Sequence, residues 1–297
     1  MIQCENESAW LTERNKRVQA SEAASILRLS PWGSPVEVAQ RKLGLVPPLE
    51  KTDRMRWGSK LEPVIRQQLI ENGMVIEYDG PHAIYAHDTH PLGASLDGRI
   101  GDSVLEIKCA GSNRGWEDGP PVHYQAQVQH QMFVTGMDRA VIAVLFAGSD
   151  LQTYEVKAHK AFQDMMVTQE LAFWEAVQAG RLPAAESEQD IAALAKSMLV
   201  VKGKEVALPV EDFLYLHQQR CGLILAKKTI EKELGLIRDR ILVGLGDAET
   251  GVIDGTDIRY SGKVVQKGEY TVKASSYRVV NSNKDNESRK KGAGDEP

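Results

Sequence analysis

Apolar residues along this chain recur with two different periods, and the change of period divides it into elements. In ASEAASILRLSP they fall three and four apart, predicting a helix from about Ser21, with Ser21 as its cap and Pro31 as its end. SPVEVAQRKLG reads as a second helix. Ser34 is its N-cap, Pro35 holds the first helical position, Glu37 completes a capping box and Gly44 closes it. DRMRWGSKLEPVIRQQLIENG reads as a third, interrupted at Pro63 and closed at Gly73.

After Gly73 the period drops to about two through MVIEYDG, HAIYAHD, LGASLDGRI and SVLEIKC, which predicts a run of antiparallel strands. HYQAQVQHQMFVTG returns to helix, DRAVIAVLFAG and LQTYEVKAH read as strands, and AFQDMMVTQELAFWEAVQAG as an amphipathic helix. This order predicts an α/β or α+β fold with a central mixed sheet flanked by helices. A Pro/Ala-rich, charged linker, RLPAAESEQD, ends the main domain near residue 185. An extension over 186–280 follows. Its first part, PVEDFLYLHQQRCGLILAKKTIEKELGLIRDRILVGLG, predicts one long helix or a helical pair, and GVIDGTDIRYSGKVVQKGEYTV a small β-meander. The segment 281–297 is almost free of apolar residues and is expected to be disordered.

Composition narrows the classes without choosing among them. Of 297 residues, 42% are hydrophobic and 26% charged; no apolar run approaches membrane-spanning length and no basic-apolar leader opens the sequence, so a cytoplasmic protein without a membrane partner is expected. The net charge of -5 argues against non-specific coating of nucleic acid but leaves room for a local basic groove. Cys4, Cys109 and Cys221 are too dispersed for a zinc or iron–sulfur site.

Chemistry enters at VLEIKC, residues 104–109. Period two places Leu105, Ile107 and Cys109 on one face of a strand and Glu106 and Lys108 on the other. The short RIGDSV before it fits a hairpin, which brings Asp97 opposite Glu106. Two adjacent carboxylates raise each other's pKa unless positive charge lies between them. Hard Mg²⁺ supplies such charge through one or two carboxylates, and a neighbouring lysine orients or deprotonates the attacking water. The pattern D-x(8)-E-x-K therefore fits metal-assisted phosphodiester hydrolysis. Taken alone, E-x-K on a strand is most often a solvated face with a cross-strand ion pair.

Further segments separate these readings. LDG and LEIKC resemble the acidic core of the PD-(D/E)xK nuclease superfamily, with Leu96 where proline is usual. RWGSKLEP, SLDG, LEIKC and YQAQVQHQMFVTG, in this order, resemble the phage lambda-type exonucleases of the YqaJ-like viral recombinase family, from about Trp10 to about Leu182. The resemblance implies a restriction-endonuclease-like core. It also implies that Asp97, Glu106 and the carbonyl of Ile107 bind Mg²⁺ or Mn²⁺, two ions per site during catalysis, and that Lys108 positions the water. Glu62 then helps hold the second ion, unless it merely forms a capping box with Ser59. Gln127 points into the site, unless its helix face is solvated.

For the terminal 5′ phosphate, the resemblance implies Arg14, Ser21, Ser95 and Arg114, although Ser21 also reads as a plain N-cap and Arg114 as a plain loop cation. His123 and His130 read as ordinary surface or boundary residues. Cys109 is assigned a structural role, because a thiol packed into a core is usually inert. The activity implied is 5′→3′ digestion of double-stranded DNA ends to mononucleotides, leaving 3′ overhangs for a single-strand annealing protein. A ring-shaped trimer in the cytoplasm of a bacterial host, with a phage or prophage origin, belongs to the same expectation, and the extension is expected to serve assembly, partner contact or DNA guidance. An endonuclease or a 3′→5′ enzyme on the same core, and a non-catalytic DNA-binding module, are the alternatives.

Overall fold

A computed structural model describes residues 1–198 and 205–261. The chain divides into two compact units, Met1–Leu199 and Val200–Pro297.

The first unit runs β1 (Ile2–Gln3), α1 (Glu7–Arg14), β2 (Val18–Gln19), α2 (Ala20–Ile26), α3 (Pro35–Lys42), α4 (Asp53–Glu71), β3 (Ala83–Ala86), β4 (Leu92–Ala94), β5 (Gly98–Ile100), β6 (Ser103–Ala110), α5 (Val122–Thr135), β7 (Arg139–Phe146), β8 (Asp150–Lys157), α6 (Lys160–Gln178) and α7 (Glu188–Ser197). This is a mixed α/β fold, as the order of periods predicts. Its strands form two four-stranded sheets, ordered β1-β3-β4-β2 and β5-β6-β7-β8. Within the second, β5 pairs antiparallel with β6, β6 parallel with β7, and β7 antiparallel with β8. Helix α5 makes the crossover between the parallel strands.

Strand β6 is covered on both faces. Leu105 and Ile107 pack with Ile65 and Leu69 of α4. On the opposite side Val104 joins Ala126 and Met132 of α5 and Met166 and Phe173 of α6 in the larger cluster. The polar face of VLEIKC is therefore not a wet face, and Glu106 is only 4% exposed.

Several elements differ from the periodicity reading. Helix α1 precedes the first expected helix and starts where Asn6 accepts a hydrogen bond from the Ala9 N–H. Helix α2 is capped one residue pair earlier than expected: the backbone N–H of Gln19 donates to Glu22, and Ser21 lies inside the first turn. Helix α4 runs unbroken through Pro63, which sits on an exposed face where the carbonyl left without a donor meets solvent. MVIEYDG forms no strand and makes one bridge, Glu77 to Arg99. Ile76 crosses so close to Gly98 that a Cβ there would lie 2.9 Å from it, so the strand start must be glycine. The first unit also extends beyond the boundary near 185, because α7 docks on the rest of it. Arg28 pairs with the buried Asp190, and Gln40 donates to the carbonyl of Ala193 and the hydroxyl of Ser197.

In the second unit the expected helix or pair is one helix, α8 (Val210–Leu245), none of whose residues is buried, followed by an antiparallel pair, β9 (Thr250–Val252) and β10 (Arg259–Ser261). The rest of the expected meander and the tail 281–297 lie outside the described residues. Among the described residues no helix is long and apolar enough to cross a membrane.

Candidate active site

The hairpin between β5 and β6 turns at Gly101, whose φ of +54° suits glycine. Its register, Gly98 opposite Leu105, leads Asp97 toward Glu106. Asp97 lies just before the start of β5, and its Oδ2 accepts the backbone N–H of Ile107 at 2.7 Å. From α4, Arg66 donates to the Asp97 carbonyl at 2.8 Å and fixes the other side of the same residue. One helical turn earlier, Glu62 faces the Asp97 carboxyl; burial, then contact with Glu62, pushes the Asp97 pKa up to about 8. With α4 continuous and capped by Thr52, Ser59 starts no helix, which removes the capping explanation of Glu62.

Glu106 is surrounded by donors. Its Oε1 accepts from Lys108 at 2.5 Å and from the Gln127 amide at 2.6 Å, while Oε2 accepts from the Gln131 amide at 2.6 Å. Burial still raises its pKa, with Lys108 opposing and Asp97 adding to the rise. Lys108 also donates to Gln127 Oε1 at 3.1 Å and lies 5.1 Å from the Tyr124 ring centroid. Burial by itself would lower the Lys108 pKa, but the charges of Glu106 and Asp97 outweigh it and hold the ammonium protonated. This ammonium therefore serves as a fixed positive charge that can orient water, rather than as a resting-state base.

Gln127 points inward, so its face of α5 is not merely solvated. Gln131, fully buried, was not singled out for the site by the sequence reading. The signal was present in the spacing of Tyr124, Gln127 and Gln131, which places all three on one helical face. Gln131 also donates to the Ser95 carbonyl at 3.3 Å, joining β6 to the segment that leads into Asp97.

A second polar cluster adjoins the carboxylates through Ser95. Arg14, the last residue of α1, donates to the Ser21 hydroxyl at 2.9 Å and approaches the Ser95 hydroxyl at 3.5 Å. The Trp10 indole N–H donates to the same Ser95 oxygen at 3.2 Å, and the Arg14 guanidinium stands 4.5 Å from the Trp10 ring centroid. Ser21 is thus free of capping duty and available to this group. Arg114 lies exposed on the loop between β6 and α5 and takes no part in the hydrogen bonds that join Trp10, Arg14, Ser21 and Ser95.

His130 corrects the reading of a surface residue. It is fully buried, its Nδ1 2.8 Å from Glu170 and its Nε2 3.1 Å from the Gly93 carbonyl. His123 is half-buried against Trp32 and Tyr124. Cys109 packs among the α4-facing apolar residues, and burial, followed by Glu62, raises its pKa and keeps the thiol protonated.

Residues 9–138 match the YqaJ-like viral recombinase domain. The chain is 32% identical over 186 residues to the uncharacterized protein YqaJ of Bacillus subtilis strain 168, covering 59% of this chain and 58% of that protein's length. Its fold resembles that of an alkaline exonuclease from Laribacter hongkongensis, at 24% identity and a TM-score of 0.48, over 58% of this chain and 93% of the other. A putative exonuclease from Eubacterium rectale aligns with a TM-score of 0.48 at 11% identity, over 70% of this chain and 96% of the other.

Proposed function

We propose, for a chain whose residues 9–138 match the YqaJ-like viral recombinase domain, a metal-dependent exonuclease that degrades double-stranded DNA ends 5′→3′ and leaves 3′ single-stranded overhangs. The observation that carries the reading is the convergence of Asp97, Glu106 and Lys108 at one end of the β5–β6 hairpin, with the Arg14, Ser21 and Ser95 cluster beside it. A carboxylate–ammonium centre suits phosphodiester hydrolysis, and an arginine with two hydroxyls suits a terminal phosphate.

A divalent cation fits the residues present. Asp97 is held near pKa 8 by burial and by Glu62, a strain that dipositive charge relieves. Among the described residues no group of three His, Cys, Asp or Glu side chains has metal-binding spacing. Mg²⁺ commonly takes only one or two protein carboxylates and completes its shell with water and phosphate. Asp97, Glu106 and the Ile107 carbonyl would hold Mg²⁺ or Mn²⁺, and Glu62 a second ion. The cations, when bound, supply charge neutralisation and Lewis acidity at the scissile phosphate.

The chain's own groups do the rest. Lys108, fixed by Glu106 and Gln127, orients the attacking water and offsets charge building on the phosphate oxygens. Gln131 keeps Glu106 aimed by bonding to both β6 and the Ser95 backbone. Arg14, Ser21 and Ser95 hold the terminal phosphate two residues from Asp97, which sets the polarity. A homotrimeric ring around DNA and transfer of the overhang to a single-strand annealing protein complete the reading.

Duplexes labelled at either end, with and without a 5′ phosphate, test it in Mg²⁺, Mn²⁺ or EDTA. Release of labelled mononucleotides from 5′-phosphorylated ends, abolished by EDTA, is expected. Cleavage of covalently closed circles, or release from 3′ ends, would overturn it.

A further inference from the structure

A cavity of about 150 Å³ opens on the α4 side of the second sheet. Arg54, Trp57, Gly58 and Leu61 line it from one stripe of α4, and the ends of β6 and β7 line it around Cys109 and Leu145. Since β6 and β7 are parallel, the cavity lies outside the carboxyl ends of a parallel pair, where open α/β sheets place ligands. It also adjoins the carboxylate site: Leu61 precedes Glu62 in the chain and Cys109 follows Lys108.

Two features of this cavity have no packing explanation. Trp57 is 61% exposed, and the Lys60 ammonium stands 5.1 Å from its ring centroid. Gly58 lies in the interior of α4, where glycine destabilises a helix relative to alanine. No neighbour demands it, because a Cβ at Gly58 would meet nothing within 4 Å. A side chain there would project into open space, so what glycine preserves is the slot itself.

We propose that this slot stacks a nucleobase of the degraded strand, within a nucleotide or two of the scissile phosphate, against the face of Trp57. Arg54 and Lys60 then meet the flanking phosphates. The inference rests on the nuclease reading above. An aromatic face with cations at its rim and a glycine wall suits a flat, polarisable ring joined to an anionic backbone better than it suits an aliphatic or peptide ligand. Stacking of this kind tolerates any base, as an enzyme working through arbitrary sequence requires.

The test pairs protein variants with abasic duplexes. Full-length wild type, Trp57→Ala, Trp57→Phe and Gly58→Leu are compared on an intact 5′-phosphorylated duplex and on duplexes with one abasic nucleotide at each of the first three positions. Binding is read by fluorescence anisotropy in EDTA and degradation in Mg²⁺. Trp57→Ala and Gly58→Leu are expected to weaken binding of the intact duplex by about 10-fold, with Trp57→Phe restoring most of it. One abasic position should cost the wild type a similar factor and cost Trp57→Ala nothing further. An abasic penalty equal in wild type and Trp57→Ala, or absent from the wild type, overturns the slot. Gly58→Leu, whose Cβ would meet nothing within 4 Å, carries the same test should Trp57→Ala misfold. A wild type that shows the base-dependent coupling in binding yet releases no nucleotide overturns the nuclease reading and leaves the slot standing.

Discussion

Helix α5 serves two buried glutamates, and they are buried in different ways. Glu106 accepts hydrogen bonds on both oxygens, from Lys108, Gln127 and Gln131, and sits next to a half-buried Asp97. Glu170, fully buried, meets His130 through one oxygen, while its other oxygen has no hydrogen-bond partner. Burial of a carboxylate therefore does not mark a functional centre by itself. What distinguishes Glu106 is the ammonium beside it and a second carboxyl group close enough to raise its pKa. The His130–Glu170 pair joins α5 to α6, and through Gly93 to β4. The first arrangement trades stability for charge placement; the second ties elements together.

The widest separation between the two is expected from substitution of the acidic centre. Asp97→Asn or Lys108→Ala should lower the rate of nucleotide release by about 1,000-fold or more, measured by acid-soluble label. The same Asp97→Asn should raise the thermal midpoint of metal-free protein at pH 8, since it removes the repulsion from Glu62 while keeping an acceptor for Ile107. A lower midpoint would mean that the site contributes to stability as the other pair does.

Glu170→Gln should behave oppositely. Removing one partner of a buried pair costs about 3 kcal/mol, read by urea denaturation, whereas the rate per folded molecule should stay near that of the wild type. A large loss of rate in the folded variant would make the pair part of the chemistry and collapse the distinction.

The acidic centre should also respond to pH. Asp97 is raised from an ordinary value of about 3.9 to about 8, so between these values the native state holds a proton that the unfolded chain has lost. Stability of the metal-free protein then falls as pH rises through that window, and is fully present below the unfolded value. Asp97→Asn should flatten the slope; a slope unchanged in that variant would assign it elsewhere.

The smallest effect concerns the neighbouring phosphate cluster. Ser21→Ala should reduce the preference for 5′-phosphorylated over 5′-hydroxyl ends by about 10-fold, the scale of one charge-assisted hydrogen bond. Equal loss on both substrates would return Ser21 to a structural role.

Much of this was legible in the chain because it depends on local rules. The capping box of Ser34 and Glu37 is in place, and the pairing of β5 with β6 follows from a hairpin too short to do otherwise. What was not legible depends on partners distant in sequence. Whether the face of Glu106 and Lys108 is wet is decided by α5, which follows a loop and covers it. His130 looks like any polar residue on a mixed helix until Glu170, on the next helix but one strand pair away, meets it. MVIEYDG alternates like a strand, but Glu77 alone of its residues makes a β-bridge. The place of α7 depends on Arg28, far upstream of the linker that separates it in sequence from α6.

The central position of β6 has a consequence during synthesis. Its β5 partner precedes it and can pair at once, but its other edge waits for β7, whose last residue, Phe146, lies well beyond Ala110. At ordinary elongation speeds of about 5–20 residues per second that edge stays open for roughly two to seven seconds on the ribosome. During this interval Glu106 and Lys108 are still hydrated, and the strand is an open template for another nascent chain. Their charges, which are costly once the sheet closes, work against such pairing while the edge is open.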